Sequence, residues 1–450
     1  MQPAVFRVDT AGKTPRYRKE TGHASLCDDC KSTSHPACPW VLSRSCAHGG
    51  DRLIMARILV VGTADTKGEE LAFLEHVILE AGGSALIVDV GIGRPSIPVG
   101  VTNSSVASHD VTAPSLLGTT DRGPAIAAMG RAFRAFLAGF DAIDGIIGIG
   151  GGGGTSIITE GMRALPVGLP KLMVSTMASG DVSPYVDVSD ITMMYSVTDL
   201  AGLNRISRKI LRNAGFGIVG MARAAKVERS EKPAIGLTMF GVTTPCVTAI
   251  IEDLKASHDC LVFHATGTGG RAMEKLVDSG MISGVIDATT TEIADHLCGG
   301  VLSAGADRLG AFARNRIPYV GSVGACDMVN FQTPESVPQK YKGRRFYQHN
   351  PQVTLMRTTA DECVAIGRFI AEKLNACEGQ IRFLIPEGGV SMLDAPGQQF
   401  HDPDANKALF DTIESVLIQT PQRNLTRLPF HINAPAFSAA LTAAFRSIEG

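Results

Sequence analysis

Residues 144–160 read Asp144-Gly-Ile-Ile-Gly-Ile-Gly-Gly-Gly-Gly-Gly-Thr-Ser-Ile-Ile-Thr-Glu160, an apolar run that empties into five consecutive glycines and then a helical pattern. A buried strand, a turn without side chains and a helix start, in that order, make an anion-binding turn. Glycine lets the backbone take positive φ and approach a ligand with no Cβ in the way, and the helix start offers unpaired N–H groups and the positive end of its dipole. The expected guest is a phosphate, held by Gly150, Gly151, Gly152, Gly153, Gly154 and Thr155. Gly148-x-Gly150-x-x-Gly153 satisfies the dinucleotide spacing, but so glycine-dense a run satisfies almost any such spacing. The turn therefore specifies phosphate more firmly than NAD. The bland alternative is a flexible link between strand and helix, which rarely needs five glycines.

On either side of this stretch, short apolar runs alternate with helical patterns, the signature of parallel strands joined by crossover helices. The first unit begins with a strand over residues 58–61. It continues into Thr63-Ala64-Asp65-Thr66-Lys67-Gly68-Glu69, where Thr66 and Glu69 have capping-box spacing. Leu71, Leu74, Val77, Ile78 and Ala81 form the buried stripe of the helix, Gly82-Gly83 stop it, and residues 85–90 give the next strand, which carries Asp89. Residues 91–118 read as an inserted loop. The same grammar restarts after the charged run at residues 226–232: a strand over 234–240, a helix begun by Thr244-Pro245, and a strand over 260–264. That last strand ends in a second glycine-rich turn, Ala265-Thr266-Gly267-Thr268-Gly269-Gly270. Near the end, a strand over 383–385 empties into Pro386-Glu387-Gly388-Gly389. The expected fold is α/β: two Rossmann-like, doubly wound parallel-sheet domains, residues 55–228 and 229–450, with a ligand cleft between them.

Bulk properties fit that reading. A chain of 450 residues is long enough for two or three cores, and 42 basic against 44 acidic side chains argue against a nucleic-acid-coating role. No apolar stretch approaches the ~20 residues that span a bilayer, so the expected setting is the cytoplasm, with no membrane partner. Six of the ten cysteines are scattered through apolar segments, as reduced thiols are. The other four, Cys27, Cys30, Cys38 and Cys46, crowd beside His23, His35 and His48. Cys27-x-x-Cys30 has metal-ligand spacing and could form a zinc knot. Residues 1–54 otherwise lack periodicity and read as a disordered leader, or as translated sequence ahead of a start at Met55.

The candidate chemistry gathers at strand ends. Gly-x-x-x-x-Gly-Lys-Ser/Thr is missing, since Gly12-Lys13-Thr14 has Arg7 where the first glycine belongs. In a doubly wound sheet the turn after the first strand lies beside the glycine run, so Thr63, Thr66 and Lys67 are placed to contact phosphates. Lys67 would serve as counter-charge, Asp65 as a cap, ribose contact or indirect magnesium ligand, and Asp89 as a ribose-binding acid. Thr176, Met177, Ser179 and Gly180 follow another short strand and could close the site. In the second half, Thr266, Gly267, Thr268, Gly269 and Gly270, with Gly388 and Gly389, form a candidate ligand surface. His264 and Glu387 are the candidate acid–base residues there, with His401 and Asp402 as companions. A helix over residues 203–213 carries Arg205, Arg208, Lys209 and Arg212 on one face, which reads as a solvated surface or a phosphate contact.

The motifs at residues 60–69, 148–155, 176–181, 264–270 and 386–391 together resemble a family of uncharacterised proteins. That family includes the ATP-binding inhibitory domain of the tomato mosaic virus resistance protein. The resemblance runs over residues 56–448. It implies two Rossmann-like subdomains, ATP binding in the N-terminal one, and a homodimer. By that likeness the nucleotide contacts fall among Thr63, Asp65, Lys67, residues 150–155 and residues 176–180. The leading expectation is thus a cytosolic protein that holds ATP, with Mg2+, on the glycine turn. The alternatives are an enzyme acting on a small organic acid or phosphorylated metabolite in the inter-domain cleft, and a nucleotide-stabilised protein-interaction module.

Overall fold

The structure is a computed structural model that describes residues 55–140, 143–224 and 232–450. The cysteine and histidine cluster before Met55 and most of the expected linker lie outside the described residues. Residues 53–450 form one compact unit. Its first sheet has five parallel strands: β1 (Arg57–Gly62), β2 (Ser84–Asp89), β3 (Gly145–Gly150), β4 (Lys171–Ser175) and β5 (Thr192–Tyr195). They are ordered β2-β1-β3-β4-β5. Ile58, Leu59, Val60 and Val61 are wholly buried, which is why β1 reads as an unbroken apolar run rather than an alternating one. Helices Gly68–Glu80 and Arg205–Ala224 pack together against one face of the sheet, and helices Arg122–Ala138 and Gly152–Ala164 pack together against the other. The chains leaving β1 and β3 therefore diverge, and a crevice opens between their carboxyl ends. That is the topological switch point at which doubly wound sheets bind ligands.

The second half contributes β6 (Ala234–Met239), β7 (Asp259–His264), β8 (Gly284–Thr289), β9 (Tyr319–Gly324), β10 (Met328–Phe331), β11 (Phe346–Asn350), β12 (Val353–Arg357), β13 (Ile381–Pro386) and β14 (Arg423–Leu428). Six of these make a parallel sheet ordered β14-β13-β9-β8-β6-β7, which repeats the winding of the first sheet with one more strand. The α/β, doubly wound expectation holds for both sheets. Sequence patterning does not anticipate the three-stranded antiparallel sheet β10-β12-β11, whose strands are too short to show a period. All six cysteines after Met55 are free, and only Cys260 is incompletely buried.

Three local expectations are corrected. The Thr66/Glu69 capping box does not form: Lys67 caps helix Gly68–Glu80 without a side-chain bond, because the Thr66 hydroxyl lies 2.8 Å from that of Thr63. Helix Thr244–Leu254 is capped by Thr243, one residue earlier than expected. Residues 91–118 are not wholly irregular but contain helix Asn103–Ala107 and the 3-10 turn Ala113–Leu116. Among the described residues no helix is long and apolar enough to cross a membrane. On the basic helix, Arg212 forms a bidentate pair with Glu80 at 2.7 Å for both bonds, and Arg208 lies over the Phe73 ring, so part of that face serves packing.

Candidate functional site

The turns after β1 and β3 meet in one pocket of about 230 Å³ at the switch point. Thr63, Asp65, Thr66 and Lys67 form one wall, and Gly151, Gly152, Gly153 and Gly154 form the floor. Helix Gly152–Ala164 starts at this floor. Its cap is Gly151, which has no side chain to accept from the first amides, so the uncapped positive end of the helix dipole lies at the pocket floor.

The glycines have different reasons for being glycine. None of residues 150–154 takes a positive φ, which corrects the expectation that conformational freedom is what the run supplies. At Gly150 a Cβ would lie 2.8 Å from the Thr155 amide nitrogen, so this glycine allows the helix to leave close against its strand. At Gly151, Gly152 and Gly154 a Cβ would meet nothing nearer than 3.7, 3.9 and 3.8 Å, an ordinary contact in each case. Neither backbone conformation nor internal packing asks for glycine at these three positions. What the missing side chains keep open is the pocket itself.

The charges around this floor are two cations and one carboxylate. Lys67 donates to the Leu200 carbonyl and forms no ion pair among the described residues. Arg122, the first residue of helix Arg122–Ala138, lines the opposite wall, is exposed, and likewise has no hydrogen-bond or ion-pair partner among them. Sequence reading did not single out Arg122. The signal available was Asp121-Arg122-Gly123-Pro124, a helix start with proline in the first turn. Asp65 lines the pocket too. One carboxylate oxygen accepts from Gly93 N at 2.9 Å, and the other is buried without a partner.

Other predicted residues stand behind the pocket rather than in it. Asp89 is fully buried and does not line it: its Oδ1 accepts from Ala64 N at 2.9 Å and Gly91 N at 2.8 Å, clamping the two loops that form the wall. Burial pushes its pKa up despite these two donors. Thr155 is also fully buried, with its hydroxyl 2.7 Å from that of Ser175. Thr176 and Met177 reach the rim, where Met177 Sδ is the nearest atom to a Cβ built on Gly152. Ser179 and Gly180 lie beyond it.

The second glycine turn is already filled. Buried Glu292 accepts from Gly267 N at 2.6 Å and Gly270 N at 3.0 Å, and buried Arg308 holds its other oxygen at 2.9 Å. Here the glycines answer to the protein. Gly267 has φ +83°, and a Cβ at Gly269 or Gly270 would lie 1.8 Å from the His264 carbonyl or 2.1 Å from Glu292 Oε2. The turn also follows β7, the edge strand, away from the switch point of its sheet. Thr266 donates its amide to the His264 carbonyl at 2.7 Å, and Thr268 opens helix Thr268–Asp278. The amides expected to hold a ligand are thus spent on a side chain of the same chain.

His264 and Glu387 are not brought together. They end β7 and β13, four strand spacings apart, roughly 19 Å at the usual inter-strand distance. His264 stacks edge-on against Phe240, and Glu387 pairs with Arg427 at 2.8 Å. Glu387, Gly388, Gly389 and His401 do share a cavity of about 290 Å³. A Cβ at Gly388 would lie 2.6 Å from the His431 amide nitrogen, and Gly389 has φ +126°, so backbone geometry explains both glycines. Asp402 caps helix Pro403–Val416 by accepting from Ala405 N at 3.1 Å.

With this geometry in hand, the comparisons with known proteins are specific. Residues 56–227 match the uncharacterised protein family UPF0261 N-terminal domain, and residues 232–448 match its C-terminal domain. A UPF0261 protein of Rhizobium meliloti is 62% identical over 395 residues, covering 88% of this chain and 99% of that protein. The tomato mosaic virus (ToMV) resistance protein Tm-1 of Solanum lycopersicum is 42% identical over 421 residues, which are 87% of this chain and 56% of the tomato protein. The chain belongs to the UPF0261 family.

Proposed function

We propose that this UPF0261 protein binds ATP through its phosphates at the β1/β3 switch point. The observation that carries the reading is the unexplained openness of Gly151, Gly152 and Gly154, three positions where the protein itself has room for a side chain and the backbone has no need to avoid one. Their amides, the helix dipole, Lys67 and Arg122 supply donors and positive charge from three sides of one pocket. Asp65, with one buried oxygen free, is the residue suited to a Mg2+ ion, which commonly uses one or two carboxylates and completes its shell with phosphate oxygens and water. That ion would neutralise phosphate charge. Asp89 sets the distance between the walls. A homodimer and an interaction role remain compatible with this site but draw no support from it. The separation of His264 from Glu387 removes the pair on which the enzyme alternative rested.

Calorimetry tests the reading with ATP and Mg2+ against NAD, on the full chain and on Lys67→Ala and Arg122→Ala. ATP should bind and NAD should not. Each variant should lose about tenfold in affinity, the worth of one charge-assisted contact of about 1.5 kcal/mol. Saturation by NAD with no heat from ATP would refute the proposal.

A further inference from the structure

A second group of cations gathers where the two halves meet, apart from the glycine turn. A cleft of about 500 Å³ is bounded on one side by Arg134, Arg163 and Asp187 and on the other by helix Thr268–Asp278 and the segment around Arg308. Every acidic side chain that lines it has an arginine partner: Asp187 has Arg271, Glu274 has Arg308 at 3.0 Å, and Asp278 and Asp307 have Arg314, both at 2.9 Å. Six cations thus face four anions, and three of the cations form no ion pair among the described residues. Arg163 donates to the Pro184 and Tyr185 carbonyls at 3.3 and 2.8 Å, and Lys275 donates to the Arg163 and Leu165 carbonyls at 2.7 and 2.9 Å. Arg134 has no partner among the described residues. Burial, with the neighbouring charges of Lys171 and Arg134, holds the Lys275 ammonium below its ordinary pKa against the opposing pull of Asp278 and Asp190.

The same cleft is where the halves join. The side-chain hydrogen bonds between them, among the described residues, are Lys275 to the two carbonyls, Val167 N to Ser279 Oγ at 3.2 Å, and Arg271 to Asp187. A seam this polar can be tightened by a guest that both sides bind.

We infer that the cleft binds a small multivalent oxyanion, a polycarboxylate or a phosphate ester, clasped between Arg134 and Arg163 of the first half and Lys275 of the second. This site is separate from the ATP site proposed above. Helix Gly152–Ala164 presents its amino end to the glycine pocket and Arg163 to the cleft, eleven residues or about 16 Å apart at the α-helical rise. The inference does not depend on what the glycine turn holds.

The test is calorimetry of the full chain at 0.15 M salt with citrate and, separately, inorganic phosphate. It is repeated on Arg134→Glu and on Gly152→Ala. Arg134 is exposed and unpartnered, so its reversal leaves the packing of helix Arg122–Ala138 intact. At least one probe should bind the wild-type chain, and whichever binds names the class. Arg134→Glu should weaken that probe at least tenfold while ATP binding stays unchanged, and Gly152→Ala should leave the probe unaffected. The inference fails if neither probe binds. It also fails if Arg134→Glu binds as well as wild type, or if Gly152→Ala abolishes binding, since the anion would then occupy the glycine turn.

Discussion

The reading of the glycine turn makes a prediction in which stability and binding move in opposite directions. Gly152 is the first residue of helix Gly152–Ala164, has ordinary helical backbone geometry, and would place a Cβ 3.9 Å from Met177 Sδ. Gly152→Ala therefore creates no clash and removes the entropic penalty of glycine in a helix, roughly 0.5–1 kcal/mol. For a chain of this size that is a rise in melting temperature of about 0.5–1 °C. The same methyl group stands on the pocket floor, where a phosphate oxygen approaches the helix amides. Loss of one charge-assisted hydrogen bond, about 1.5–3 kcal/mol, should weaken ATP by roughly tenfold to a hundredfold. Gly150→Ala supplies the contrast. Its Cβ would lie 2.8 Å from Thr155 N and 2.9 Å from the Gly154 carbonyl carbon, both rigid backbone, so the strand-to-helix junction must shift at a cost of about 1–3 kcal/mol. Thermal denaturation and calorimetry on the two variants check both halves of the argument. A folded Gly152→Ala protein that is no less stable and binds ATP as tightly as wild type would refute it, because the openness of the turn would then serve nothing at the pocket.

Two further predictions concern the second half. Glu292→Gln replaces a carboxylate that holds two backbone amides and the buried Arg308 guanidinium, so it should cost about 3–5 kcal/mol, read as a drop of several degrees in melting temperature, with ATP affinity unchanged; an unaltered melting temperature would show that the amides need no anion. Burial pushes the pKa of Asp295 up to about 7, although Asn330 and Leu302 donate to it, so the folded state holds a proton that the unfolded chain releases near pH 4. Its contribution is full on the acid side and is lost as pH rises through 7. Stability should therefore fall between about pH 4 and 7 with a slope approaching 1.4 kcal/mol per pH unit and level off above, and Asp295→Asn should flatten the profile measured by denaturant titration.

The doubly wound α/β class, the placement of the β1 and β3 turns and the meeting of Lys67 with the glycine run were legible in the sequence, because parallel strands buried on both faces leave unbroken apolar runs and the winding rule does the rest. Arg122 was not. It follows a long inserted segment whose short turns carry no period, and only the fold brings its helix start over the pocket. The roles of Asp89 and Thr155 were read from their position in the chain, which locates the backbone but not the direction of the side chain. Both turn inward, Asp89 to the Ala64 and Gly91 amides and Thr155 to Ser175. The second glycine turn failed for a related reason: the carboxylate that fills it comes from Glu292, 25 residues beyond Gly267, and local pattern holds no trace of a bond made at that distance.

The two turns share a recipe, a strand emptying through glycines into a helix, yet one is open and the other closed, and strand order accounts for the difference. β3 lies between β1 and β4, and the connections leaving β1 and β3 go to opposite faces, so the turn after β3 borders a crevice that none of the described residues fills. β7 is an edge strand with β6 on one side only. Its turn has no second diverging connection to make a crevice, and helix Thr291–Cys298 lays Glu292 across it. Amides at a buried helix start need a partner, whereas those of a solvent-facing start are left to the solvent. The closed turn finds its partner in the protein. The open turn leaves its amides to the solvent, and Lys67 and Arg122 put two positive charges on the walls beside them.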